Sequence, residues 1–225
     1  VYVKLFAIKQ LTQLWFLSLL IYFSYFFIMH EMTQIRVGVA SAFLLLCIKP
    51  IYERDFKLFL IFSTTAFLFH FSAIIIFPLY FLGNKTRKTW LLLAVPIGYL
   101  IHFSGITIIG TIPIPGIQEK LAMYQQLHEL GNENWTKINV FKLVFLARIV
   151  IFYILLFKYD SIIANNKYAG ILIKIFGISL MSFLALSFIP VLGVRISDLL
   201  GVVEIVLIPL LFYCFKPEFF SRSIV

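Results

Sequence analysis

Apolar residues fill this chain in long runs, and polar residues are confined to short gaps between them. Seven runs stand out: 5–28, 34–48, 58–82, 90–109, 141–157, 169–189 and 197–215. Most are near the ~20 residues that a helix needs to cross a bilayer, and the second and fifth are short. The pattern predicts an all-α fold, a polytopic transmembrane bundle of about seven apolar segments. It reads as one transmembrane domain over residues 1–225, without internal repeats. Gly38, Gly98, Gly105, Gly177 and Gly201 fall inside the runs, where a small residue lets helices approach closely.

One polar segment is long, 110–140. Pro113 and Pro115 stop the preceding helix. Ile117, Leu121 and Tyr124 then recur at spacings of four and three and share a helix face. Leu130 precedes Gly131, a common helix stop. The segment is therefore expected to be an extracytoplasmic loop with a short amphipathic helix on the membrane surface. Trp135 fits an interfacial anchor there.

The stretch from Phe56 to Leu82 has His70 near its middle, with Ser63, Thr64, Thr65 and Ser72 around it. Lys49, Arg54 and Lys57 lie before it, and Lys85, Arg87 and Lys88 after it. If all seven runs cross, the lysines and arginines other than Arg148, which lies inside a run, divide nine to nine between the two sides. If 56–82 enters and returns on one side, the division becomes thirteen to five. The second division suits the preference of basic loops for the cytoplasmic side. It also puts Arg36, the long loop and Arg195 on one outer face, with His70 reaching toward it. A run of this length is most often a single tilted helix, non-helical backbone at depth needs burial in protein, and the sequence leaves both topologies open.

Composition excludes a soluble domain: of 225 residues, 62% are hydrophobic and 13% charged, with mean hydropathy +1.01. The net charge of +9 resides mainly in short loops. It reads as orientation signals and lipid-headgroup contacts, and no nucleic acid is expected as a partner. Cys47 and Cys214 lie in apolar runs and suggest neither disulfide nor metal site. The chain opens at Val1, close to apolar sequence, and is expected to be short at its N-terminus. Residues 5–28 are too long and too aromatic for a cleaved signal.

Ionisable groups inside a membrane are costly and are usually paired or functional. Arg148, Glu204 and His102 each fall about seven residues from the outer end of their runs, a common depth of roughly 10 Å. Arg148 and Glu204 are expected to form a buried pair. Lys174, near an inner end, is expected to snorkel. Asp198 follows Ser197 and is placed in a first helical turn, where it suits the dipole. Arg195, just before that helix, is an anchor or an anion ligand. Lys120 and Tyr124 lie on the amphipathic segment.

No phosphate-binding loop, dinucleotide glycine pattern, HExxH, CxxC or GxSxG is present, and no carboxylate set of the DxD kind. No metal and no cofactor are therefore expected. Arginines and histidines at the outer surface suit an anionic, lipid-borne substrate instead, since arginine binds phosphate in a fork and stays charged. Histidine exchanges protons near neutral pH.

Two stretches, TQIRVGVASAFLLL with Arg36 and LFHFSAIIIFPLYFL with His70, resemble the EpsG family of exopolysaccharide polymerase-like membrane proteins, relatives of the O-antigen polymerases. Lys120-Leu121-Ala122-Met123-Tyr124 is similar to a later motif of the family. VRISDLLGVVEIVLIP, with Arg195, Asp198 and Glu204, is similar to its C-terminal arginine helix. The resemblance implies a multi-pass protein of the bacterial inner membrane. Its implied activity is metal-independent, glycosyltransferase-type polymerisation of oligosaccharide units carried on undecaprenyl diphosphate. The implied partners are that lipid-linked substrate and membrane lipids, with a chain-length regulator as a further candidate. Arg36 and Arg195 are the first candidates for the diphosphate, and His70, then Glu204, for activating the attacking hydroxyl. Arg148, Tyr124, Lys120 and Asp198 complete the candidate binding set. Two other readings remain: a transporter or flippase for a polar or lipid-linked solute, and a membrane glycan acyltransferase with His70 as base.

Overall fold

The computed structural model describes residues 1–85, 88–104, 126, 139–187 and 189–214. Among them every regular element is helical. The segment carrying Lys120, Tyr124 and Trp135 lies outside the described residues.

The first apolar run is two elements. Helix α1 (Tyr2–Leu11) stops at Thr12, whose backbone is extended at φ −147°, ψ 147°. The Leu14 amide then donates to Thr12 Oγ1 at 3.1 Å. The interruption falls where Lys9, Gln10, Thr12 and Gln13 cluster in otherwise apolar sequence. Helix α2 (Trp15–Ile21) continues through π-helical turns at Tyr22–Phe26 and Ile28–Thr33. Helix α3 (Ile35–Glu53) follows. It is the one described helix long and apolar enough to cross a membrane by itself.

The stretch 56–82 folds back. Helix α4 (Phe56–Phe69) begins with Asp55 accepting from the Leu58 amide at 3.0 Å, a normal side-chain cap. It ends at His70, in extended conformation at φ −150°, ψ 120°. The His70 amide donates to the Ala66 carbonyl at 3.0 Å, and its own carbonyl accepts from Ala73 at 2.9 Å. The chain then returns as a 3₁₀ helix, Phe71–Phe81, here termed the return limb. Fourteen α-helical and eleven 3₁₀ residues have nearly equal lengths, about 21 and 22 Å at their respective rises. Each is shorter than the ~30 Å hydrocarbon core. Tyr80 accordingly arrives beside the residues where the hairpin began, its ring centroid 5.2 Å from Phe56 and 5.0 Å from Phe59. Phe67 and Phe77 meet nearer the apex at 6.4 Å.

The remaining helices pack alongside. Helix α5 (Lys88–Ser104) runs antiparallel to α6 (Leu143–Phe157). Tyr153 and Tyr99 hydroxyls donate to the Leu92 and Val140 carbonyls at 3.1 and 3.2 Å, and Lys88 pairs with Asp160 at 2.7 Å. Asp160 belongs to the short α7 (Tyr159–Asn165), and α8 (Ala169–Ala185) then packs on α5. Helix α9 begins at Pro190 and runs to Gly201, with proline in the first turn, where its missing N–H costs nothing. Helix α10 (Glu204–Leu210) follows after a break. The last apolar run therefore starts earlier than its hydropathy predicts and is bent by 54° between the two helices.

Candidate functional site

Helix α9 lies between three neighbours, packing on α8, on α3 and on the return limb. That position brings three predicted residues together. Arg36 stands in the first turn of α3, Arg195 midway along α9, and His70 at the hairpin apex. The charges of both Arg195 and Arg36 act on the His70 ring. Both arginines are exposed, whereas His70 is half-buried. His70 Nε2 is buried and has no hydrogen-bond partner among the described residues. The site is thus two exposed cations whose charges reach a buried imidazole nitrogen that has no hydrogen-bond partner among the described residues.

On the other side of α9 the expected ion pair forms. Arg148 Nε and Nη2 both donate to Glu204 Oε1, at 2.9 and 2.5 Å. Nη1 reaches Ser197 Oγ and Nη2 reaches Ser179 Oγ, each at 3.4 Å. Ser179 also donates to the Ser197 carbonyl at 2.9 Å, which fastens α8 to α9. The Arg148 guanidinium lies 5.8 Å from the Phe176 ring centroid. Gly201 makes room for it, because a Cβ there would sit 2.8 Å from Arg148 Nη2. Glu204 is therefore committed to Arg148 and has less freedom to accept a substrate proton than His70 has.

Asp198 and Arg195 differ from their expected settings. Because α9 starts at Pro190, Asp198 is well inside the helix rather than in a first turn, and Arg195 is within the helix rather than before it. Asp198 interacts electrostatically with Arg148 and Glu204, so α9 carries its cation and its acid toward different neighbours. His102 is held by Ser187, with Nδ1 and Oγ 2.5 Å apart. Lys174 does not simply snorkel: its Nζ donates to the Lys85 carbonyl at 2.9 Å and also to that of Gly83.

A second polar cluster escaped the sequence reading. Lys4 is fully buried. Its Nζ donates to Glu31 Oε1 at 2.8 Å and lies 3.2 Å from His30 Nδ1. Tyr22 also donates to Glu31 Oε1, at 3.1 Å, and Ser41 Oγ lies 3.4 Å from His30 Nδ1. Gly38 lets α3 press against the His30 backbone, since a Cβ there would lie 2.5 Å from its carbonyl oxygen. The cluster ties α1 and the π-helical turns to α3 shortly after Arg36, and so braces that arginine's helix. A charged pair at 4 and 31 was the available signal, but it becomes visible only once α1 is separated from α2.

The model of the EpsG family matches residues 1–225, the whole chain. No curated protein and no solved structure matches it.

Proposed function

The chain belongs to the EpsG family, and on that premise we propose that it polymerises lipid-diphosphate-linked oligosaccharide units in surface polysaccharide synthesis. The reading places it in the bacterial inner membrane as a multi-pass protein, with the Arg36 end of the bundle outward. The observation that carries it is the packing of the Arg195 helix against both the Arg36 helix and the hairpin limb that follows His70, which sets both cations near enough for their charges to act on the imidazole.

In the proposed reaction an acceptor sugar hydroxyl attacks the anomeric carbon of the donor. The new C–O bond forms as the bond from that carbon to the diphosphate oxygen breaks. His70 takes the hydroxyl proton on its unoccupied Nε2, and the two arginines receive the charge that develops on the departing lipid diphosphate. Fixed cations at a developing anion are among the strongest sources of rate enhancement. Holding two lipid-borne substrates in line supplies much of the remainder. The hairpin carries the imidazole about 21 Å from its base, into the outer part of a ~30 Å hydrocarbon core. Arg148 and Glu204 hold α9, and with it Arg195, in place.

The test is surface-glycan length in cells carrying Arg36→Ala, Arg195→Ala or His70→Ala, with membrane levels of each variant measured in parallel. Each change is expected to leave insertion normal and to slow polymerisation about 100-fold or more, so that single repeat units accumulate. Unchanged chain length in all three would overturn the proposal. Loss of all surface glycan would favour export, and normal lengths with altered substituents would favour modification.

A further inference from the structure

The base of the hairpin is held by two cations from outside it. Arg54 terminates α3 in the left-handed region at φ 62°, and it is the one non-glycine residue with positive φ among the described residues. Glycine or asparagine is the usual choice at such a helix stop, because a larger side chain is strained there. Here the side chain has work beyond stopping the helix. Arg54 Nη1 donates to the Tyr80 carbonyl at 2.7 Å and Nη2 to the Leu82 carbonyl at 3.0 Å. The Tyr80 hydroxyl donates back to the Arg54 carbonyl at 3.1 Å, and Asn84 Nδ2 donates to the Tyr52 carbonyl at 3.0 Å. From α8, Lys174 Nζ covers the next carbonyls, those of Gly83 and Lys85.

Carbonyls at the end of a helix lack partners within the helix and carry its negative dipole end. Four carbonyls between Tyr80 and Lys85 are satisfied by just these two cations. We infer that Arg54 and Lys174 are positioning residues that clamp the returning limb of the hairpin and so set the height at which its apex presents His70. Both limbs are measured from this clamp: α4 starts two residues after Arg54, and the return limb ends where Arg54 grips it. Nothing local breaks the chain at residue 70, where neither proline nor glycine is present. The anchored base therefore defines where the apex lies. The link from apex height to catalysis rests on the polymerase reading; the clamp itself does not.

The test uses the full chain in membranes, with Cys47→Ala and Cys214→Ser as background and Ser72→Cys as reporter. Labelling by a membrane-impermeant maleimide reads the accessibility of the apex, and surface-glycan length is read in the same variants without the reporter. Arg54→Gly removes the clamp while easing the backbone, and Lys174→Ala removes it from α8. Each is expected to shift the labelling rate about tenfold, the scale of losing a hydrogen bond to a charged group, and to shorten the glycan. Arg54→Lys, which keeps one donor within reach, should fall between Arg54→Gly and the parent. If Arg54 served only as a helix stop, Arg54→Gly would label like the parent, and parent-like labelling in both Arg54→Gly and Lys174→Ala overturns the inference. Shifted labelling with normal glycan length would uphold the clamp and remove His70 from the proposed chemistry.

Discussion

At the scale of residues, the pair Arg148–Glu204 shows how far a sequence argument about depth reaches. Two opposite charges at one level of an apolar bundle are driven together, because either alone is costly to bury. The serines that complete the arginine's partners, Ser179 and Ser197, carried no such signal, since serine is unremarkable in apolar helices. Removing Glu204's charge as Glu204→Gln should destabilise the protein by about 3–5 kcal/mol, the range for breaking one side of a buried pair. Thermal unfolding in detergent would measure it. Arg148→Glu combined with Glu204→Arg should recover part of that loss, and a double variant no better than either single one would dissolve the pairing. Gly201→Ala should cost roughly 1–3 kcal/mol by overpacking, because its Cβ would displace the guanidinium. A glycine in an apolar run suggests close approach, but its partner was not legible.

At the scale of elements, the stretch 56–82 is a hairpin. The positive-inside count pointed to a fold-back and the length of the run to a single tilted helix; in the structure the stretch folds back on itself, with its base held by Arg54. Zipper contacts such as Phe67–Phe77 and Phe59–Tyr80 pair residues ten and more apart in a stretch rich in phenylalanine, where many other pairings fit the pattern equally well. Single cysteines at positions 57 and 85, in a background lacking Cys47 and Cys214, should label from the same side of the membrane. Labelling from opposite sides would mean that the stretch crosses. The start of α9 was misread for a related reason. Hydropathy near Gly193 and Arg195 falls, so the helix looked as though it began later, although Pro190 had already marked its first turn.

At the scale of the whole molecule, the hairpin distributes the described cations unevenly. Lys9, Lys49, Arg54, Lys57, Lys85, Lys88, Lys158 and Lys167 gather around the Arg54 end, whereas Arg36, Lys142 and Arg195 lie toward the other. Cysteines replacing Lys142 should therefore label from outside the cell, and those replacing Lys158 from within; the reverse pattern would turn the proposed site to the cytoplasm. By itself the sequence determined that the protein is built of long apolar helical runs, that Arg148 and Glu204 pair inside the bundle, and that it belongs to the EpsG family. These follow from the cost of burying polar groups, which each stretch of chain expresses alone. The tertiary structure alone decided where runs break, at Thr12, at His70 and after Gly201, and which neighbours share the apex. An apolar run records the medium around it but not its direction, and where the returning limb ends, distant groups, Arg54 and Lys174, satisfy the carbonyls left open.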